Sequence, residues 1–82
     1  MENRLGFVGI ILEDRAVSAP AVNKVLAEFG EEILARMGLP HVRGSHAVIT
    51  LIVDASTDRI GALTGRLGEI PGVSVKSACA KV

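Results

Sequence analysis

Two histidines are the first residues in this sequence that could do chemistry. His41 and His46 stand five positions apart, on either side of a polar loop, and imidazole is the commonest transition-metal ligand. A mononuclear site takes three or four ligands, so a metal would also need Cys79, a carboxylate, or the same histidine pair from a second subunit. We therefore regard His41 and His46 as weak metal candidates and expect solvated loop histidines, with no metal or other cofactor.

The charged run Glu13, Asp14 and Arg15 is a second candidate site. It follows an apolar segment, at the position where open α/β sheets place their ligand crevices. The carboxylates could accept hydrogen bonds from an amino group, and the Arg15 guanidinium could bind a carboxylate. A solvated turn explains the same residues, so both interpretations stay open.

Catalysis has little support in the rest of the sequence. Cys79 has no nearby histidine and lies between two alanines, whereas a nucleophilic cysteine needs a base or an electropositive setting to ionise. No Ser/His/Asp set can be placed together. Ferredoxin-like acylphosphatases need an arginine in a glycine-rich loop after the first strand and an asparagine on the third, and this sequence has neither. We predict that Cys79 is a packing residue and that the protein is not an enzyme.

Three glycines fall on one side of a predicted helix, Gly61, Gly65 and Gly68. A glycine inside a helix costs about 0.8 to 1 kcal/mol relative to alanine. Gly61 and Gly65 therefore indicate close approach of another backbone or of a ligand, and contact with the first helix or with a neighbouring subunit is the leading interpretation. Their spacing matches neither the P-loop nor the dinucleotide-binding fingerprint.

The strands that must position these residues follow from hydrophobic periodicity. Residues 4–13 and 46–54 are apolar at both odd and even positions, which indicates central strands. Residues 31–39 and 73–79 alternate between apolar and polar. We place the segment 31–39 at a sheet edge and end it at Pro40, because proline cannot donate to a strand ladder.

Two helices are predicted between these strands. Apolar residues at helical spacing indicate the first helix over 18–29, with Ser18 as its N-cap. The second helix follows the cap-rich segment 54–58 and ends at Gly68. A polar turn with Gly44 connects the second strand in the sequence to the third.

The resulting order, βαββαβ, is the split βαβ pattern of ferredoxin-like folds. We predict an α+β sandwich with a four-stranded antiparallel sheet in the order 4-1-3-2 and both helices on one face. Either Val8, Ile10 and Leu12 or the residues of opposite parity would then be uncovered in a monomer, and an exposed apolar face of this extent marks an interface. We predict a homo-oligomer, dimer or tetramer, whose interface contains Val8, Ile10, Leu12, Ile49 and Leu51.

Length and composition exclude several classes of protein. The 82 residues make one domain, spanning residues 1–82. Nine basic and nine acidic residues give no net charge, which argues against direct binding of nucleic acid. No apolar stretch reaches the ~18 residues that a membrane span needs, and the start of the chain lacks the shape of a signal peptide. The single cysteine fits a reducing compartment, so we expect a cytoplasmic protein.

Five segments of the sequence resemble a small bacterial family, the iron-only hydrogenase system regulators. The resemblance covers nearly the whole chain, and it implies a stand-alone ACT-like domain, similar in fold to the C-terminal effector domain of the nickel-responsive repressor. That repressor's His/Cys ligand set has no matching pattern here. The segments that carry the resemblance are residues 12–15, 23–26, 33–40, 60–68 and 70–76.

The resemblance also implies a function. Small ligands of ACT-like domains sit near the first strand-to-helix loop, commonly at a subunit contact. The corresponding residues here are Glu13, Asp14 and Arg15, together with Gly9, which removes a side chain from the preceding strand. We expect an effector-sensing domain in transcriptional regulation of an iron-only hydrogenase system, acting through oligomerisation and a protein partner or a small effector such as an amino acid. The alternative is a purely structural self-assembly module without a ligand.

Overall fold

The computed structural model describes residues 2–81 as one antiparallel sheet covered on one side by two helices. The elements are β1 (Arg4–Leu12), α1 (Arg15–Glu28), a short 3-10 turn (Gly30–Glu32), β2 (Ile33–Arg43), β3 (His46–Ala55), α2 (Thr57–Gly68) and β4 (Val73–Cys79). The strand order is β2-β3-β1-β4, which confirms the predicted ferredoxin-like topology. No helix within residues 2–81 is long and apolar enough to cross a membrane.

The core lies between the helices and one face of the two central strands. Register pairs Val8 with Leu51 and Ile10 with Ile49, so these side chains share a face, and that face is buried. The helices supply the other half of the core through apolar residues at helical spacing. These residues are Val22, Val25 and Leu26 of α1 and Ile60, Leu63 and Leu67 of α2.

This arrangement corrects the predicted interface, because the helices cover the parity that we assigned to a partner. Their side chains are the centre of the hydrophobic core and are unavailable to a second subunit. The five residues are Val8, Ile10, Leu12 and Leu51, all at 0 % exposure, and Ile49 at 7 %.

The uncovered face of the sheet carries the opposite parity. We call it the open face and define it by its six large apolar side chains, each at least 40 % exposed. Register places them on one side of β1, β2 and β3. They are Leu5, Phe7, Ile11, Met37, Leu39 and Ile52.

Helix α1 begins earlier than predicted. Its first residue is Arg15, and Asp14 precedes it without a side-chain capping bond. Ser18 is therefore inside the helix and is not its N-cap. Its buried hydroxyl donates to the Pro71 carbonyl at 3.1 Å, which ties α1 to the turn before β4.

Strand β2 begins later and runs further than predicted. Glu31 and Glu32 belong to the 3-10 turn, and the strand passes through Pro40 to Arg43. Pro40 is tolerated because β2 is an edge strand and its pairing with β3 is irregular between Leu39 and Arg43. Because β2 extends to Arg43, the turn between β2 and β3 consists of Gly44 and Ser45 alone. Gly44 has the expected positive φ, +61°.

The start of α2 and the whole of β4 agree with the sequence. The Ser56 hydroxyl caps α2 by accepting from the Arg59 amide at 3.2 Å. The helix ends at Gly68, and β4 spans Val73–Cys79. Cap chemistry and alternation were sufficient here because neither depends on long-range contacts.

Two arginines of α2 join the helices at one end. Arg59 pairs with Glu32 and Arg66 pairs with Glu28, while both guanidinium groups lie over the ring of Phe29. The hydrogen bond from Arg66, and secondarily its charge, lowers the pKa of Glu28, and the same contact raises the pKa of Arg66. The ion pairs are exposed to solvent, so they contribute little to stability on their own.

Candidate functional site

The loop between β1 and α1 is held by backbone contacts to two turns. The Glu13 amide donates to the Gly72 carbonyl at 2.9 Å, and the Arg15 amide donates to the Ser45 carbonyl at 2.9 Å. The Ser45 hydroxyl donates to the Glu13 carbonyl at 3.0 Å. These bonds leave the charged side chains of the loop free while fixing the direction in which α1 starts.

The structure separates the residues that we grouped as a ligand site. Gly9 lies in the middle of β1, opposite Thr50 and Lys76, on the open face. An added Cβ there would meet only the Lys76 carbonyl, at 4.0 Å, so the close approach expected at this glycine is absent among the described residues. Gly9 therefore lies apart from the loop at 13–15.

The charged side chains of the loop also lie in different places on the surface. Glu13 lies on the side of the β4 turn, where its Oε2 is 3.7 Å from a Cβ built on Gly72. Arg15 instead lines a groove between α1 and the edge of the sheet. The Asp14 carboxylate neither caps the helix nor lines that groove.

The groove lies beside this loop, because Leu12 and Arg15, which flank residues 13 and 14, both line it. It has a volume of about 240 Å³ and is open along one side to solvent. Residues four apart on α1 form one wall, and the other wall is the edge of the sheet, where the groove reaches both helix-facing positions and two residues of the opposite parity, Leu39 and Val48. We call it the arginine groove and define it by Leu12, Arg15, Ala19, Asn23, Arg36, Gly38, Leu39, Pro40, Ala47, Val48 and Ile49.

Arg36 crosses the arginine groove from β2 to α1. Its position opposite Leu51 turns it toward the helices, and its Nη2 donates to Asn23 Oδ1 at 2.7 Å. Gly38, two residues further on, leaves the floor open, because a Cβ there would lie 3.8 Å from Ile49 Cγ1 and from the Val48 carbonyl.

Sequence reasoning missed Asn23, Arg36 and Gly38 as site residues. One signal was available: Arg15, Ala19 and Asn23 fall at i, i+4 and i+8, which is one face of a helix that starts at Arg15. The predicted start at Ser18 left Arg15 in the loop and hid that face. The contribution of β2 has no local signal.

The weak metal candidates lie on the hairpin of β2 and β3. Nδ1 of His46 lies 3.0 Å from the Arg43 carbonyl. Because a carbonyl oxygen can only accept, Nδ1 carries the proton and donates it in this hydrogen bond. His41 is exposed two residues before Arg43 on β2. Over residues 2–81, no three His, Cys, Asp or Glu side chains are grouped so that they could hold a metal ion.

The remaining candidates lie elsewhere on the surface. Cys79 is exposed at the end of β4, so its predicted packing role is wrong within the chain. A Cβ added at Gly61 or Gly65 would meet nothing within 4 Å. The predicted contact of these glycines with α1 is therefore wrong too, because their side of α2 points to solvent, and contact with a neighbouring subunit stays a prediction.

Comparison with known proteins identifies the family. Residues 4–77 match the model of the TM1266-like family, whose members are described as proposed regulators of an iron-only hydrogenase system. The chain belongs to this family. The solved structure of the uncharacterized protein TM1266 from Thermotoga maritima is 41 % identical, with a TM-score of 0.91, and the match covers 98 % of this chain and 100 % of that one.

More distant structures extend the comparison to the fold alone. The ACT domain of GTP pyrophosphokinase from Chlorobium tepidum has a TM-score of 0.75 at 20 % identity, covering 95 % of this chain and 89 % of that one. An ACT domain protein from Streptococcus pneumoniae has a TM-score of 0.57 at 14 % identity, covering 94 % and 90 %. A search of curated proteins finds no significant match. The TM1266-like chain thus has an ACT-like fold, as its sequence resemblance implied.

Proposed function

We propose that this TM1266-like chain is a regulatory domain of an iron-only hydrogenase system, which senses a small effector and acts through self-association in the cytoplasm. The family description and the ACT-like fold support a regulatory role. The observation that carries the self-association is the open face. Its occupant is a second copy of this chain.

The open face has the properties of an interface between copies. Monomeric proteins rarely expose contiguous apolar patches beyond a few hundred Å², yet six large apolar side chains share this face. By register it also carries the acid Asp54 and two bases, Lys76 on β4 and Arg43 at the hairpin end of β2. Charges of both signs are present, so the face is not dominated by repulsion between like charges.

Edge strand β2 adds to this surface. Ten of its eleven residues are exposed, and β3 pairs with only one of its edges. A bare edge invites pairing with another chain. Self-association would cover apolar surface that a small domain leaves exposed.

Light scattering tests the self-association. We expect a mass of at least twice the monomer's 8.6 kDa for the wild-type chain, and the monomer mass for Phe7→Glu, because a charge at the centre of the open face resists burial. Val17→Glu is the matched control, since Val17 is 74 % exposed on α1, outside the open face. A wild-type chain that is monomeric at micromolar concentration contradicts the proposal.

A thermal-shift panel of amino acids tests the effector. The loop at 13–15 predicts that Asp14→Ala or Arg15→Ala abolishes the response, while His41→Ala and His46→Ala leave it unchanged. A response that is removed by a chelator and by the histidine substitutions would place the site on the hairpin instead. Self-association without any ligand response would support the alternative, a structural assembly module.

A further inference from the structure

The arginine groove offers two cations and no carboxylate. Arg15 stands at one wall, and Arg36 reaches across from the other. Of residues 2–81, none forms a salt bridge with either arginine, and none of the residues that line the groove is acidic. Two guanidinium groups in one concavity, neither in an ion pair with a described residue, suit an anion, because their fork of N–H donors matches carboxylate and phosphate oxygens.

A second groove, at the C-terminal end of α1, shows the contrast. It is lined by Glu28, Glu31, Glu32 and Arg59. Its one arginine is already paired with Glu32, at 2.5 Å between Nη2 and Oε1. That surface disfavours an anion, so the positive character of the arginine groove is a local property of a chain whose net charge is zero.

The rest of the arginine groove is apolar and small. Leu12, Ala19, Ala47 and Ile49 contribute aliphatic surface, and the missing side chain of Gly38 leaves room on the floor. The volume of about 240 Å³ lies just below the range of roughly 300–1,000 Å³ in which drug-sized ligands bind. A ligand with few non-hydrogen atoms and a short aliphatic body fits this space.

From these contacts we propose that the arginine groove binds a small organic anion, with an acidic head between Arg15 and Arg36 and an aliphatic body over Gly38. The ligand carries no ammonium group, since no carboxylate lines the groove to receive one. The inference rests on the proposed function in that this anion is the effector. This proposal differs from the expected amino-acid effector, because Asp14 does not line the groove and takes no part in binding.

The position of Arg36 gives the ligand an effect on the sheet. Arg36 lies on β2, the strand that also supplies Met37 and Leu39 to the open face, and Leu39 lines the arginine groove as well. An anion bound to Arg15 and Arg36 would add a second link between α1 and β2 to the hydrogen bond that Arg36 already makes with Asn23. Binding in the groove and self-association through the open face thus share one strand, which is a physical route for coupling two sites.

Three probes that share one carbon skeleton and differ in their charged groups test the anion. They are 4-methylpentanoate, its neutral amide 4-methylpentanamide, and leucine, which adds an ammonium group to the same carbon skeleton. Titration of the isotope-labelled protein by NMR should show 4-methylpentanoate perturbing the amides of Arg15, Ala19, Gly38 and Ala47. We expect affinity about tenfold or more above that of the amide, equivalent to about 1.4 kcal/mol, and weaker binding at high salt.

Four variants locate the site. Arg15→Gln and Arg36→Gln should each weaken 4-methylpentanoate binding about tenfold or more. Lys24→Gln removes one positive charge from the same helix outside the groove and should leave binding unchanged. Gly38→Ala should crowd the aliphatic body and weaken binding. Its Cβ has only ordinary contacts, at 3.8 Å, so the NMR spectrum of the ligand-free variant should remain that of a folded protein.

Inorganic phosphate tests whether an anion without an aliphatic body is sufficient for binding. Phosphate binding as tightly as 4-methylpentanoate, or 4-methylpentanoate binding that does not change on substitution of Gly38, would identify an anion site in which the aliphatic body has no part, and would overturn that half of the proposal. Equal affinity of the acid and the amide, perturbation confined to other residues, or no binding by any probe would overturn the whole. Leucine binding more tightly and depending on Asp14 would restore the amino-acid site.

The outcome is separable from that of the proposed function. Anion binding in a chain that stays monomeric would support the groove and contradict regulation through self-association. An oligomer that ignores every anion would do the reverse. Light scattering with and without 4-methylpentanoate distinguishes these cases on the same samples.

Discussion

Ile10 and Ile11 are neighbours on β1 with the same side chain and opposite environments. Ile10 is fully buried beneath the helices, whereas Ile11 is 46 % exposed on the open face. The helices of the chain itself complete the first environment, and nothing within residues 2–81 covers the second. The difference shows that one sheet can carry two faces of similar apolarity, one buried in the core of the chain and one exposed.

Replacing either isoleucine by aspartate gives the largest contrast. Ile10→Asp buries an unpaired charge, which should cost more than about 4 kcal/mol and leave the chain unfolded by circular dichroism. Ile11→Asp should keep the secondary structure and yield a monomer, because its charge stays in water. Two unfolded variants would mean that the open face also belongs to the folding core.

The sequence predicted the part of these two surfaces that depends on local apolar pattern, and not the part that depends on packing between distant elements. Apolar residues at both parities of 4–13 and 46–54 placed β1 and β3 in the centre correctly. The same property hid which parity the helices cover, since Leu5, Phe7 and Ile11 are as apolar as Val8, Ile10 and Leu12. Only the handedness and packing of the folded sheet make that choice.

The candidate site was predictable only in its local part. Arg15 follows β1 in the sequence, so its place near a strand end could be inferred. Arg36 meets Asn23 across thirteen positions, and Gly38 reaches the groove through the register of β2 with β3. No periodicity within a single segment reports such a contact between elements.

Substitutions at two glycines of β1, Gly6 and Gly9, should have effects of intermediate size on the free energy of unfolding. A Cβ at Gly6 would lie 2.7 Å from the Ala78 carbonyl, whereas a Cβ at Gly9 has only a 4.0 Å contact. Gly6→Ala should therefore lower the free energy of unfolding by about 1–3 kcal/mol, and Gly9→Ala should change it by less than about 0.5 kcal/mol. Denaturant unfolding in the Phe7→Glu background removes the contribution of assembly. Equal effects at both positions would show that β4 can move away from β1.

The ion pair between Glu28 and Arg66 gives the smallest effect, and it concerns only the helix-covered side. Because Arg66 lowers the pKa of Glu28 below its ordinary value of 4.5, the stabilisation is present above that value. It is lost as the pH falls through the lowered pKa. Both side chains are exposed to solvent, so the contribution is small.

Glu28→Gln measures this contribution. The melting temperature of the wild-type chain should exceed that of Glu28→Gln at neutral pH, and the gap should close as the pH falls below 4.5. Glu31→Gln is the control, since Glu31 is exposed nearby in the 3-10 turn and makes no salt bridge within residues 2–81. A gap that persists in acid would indicate that Glu28 acts through packing rather than charge. The oligomer mass should be the same for both variants, because the pair lies on the helices and the open face lies across the sheet.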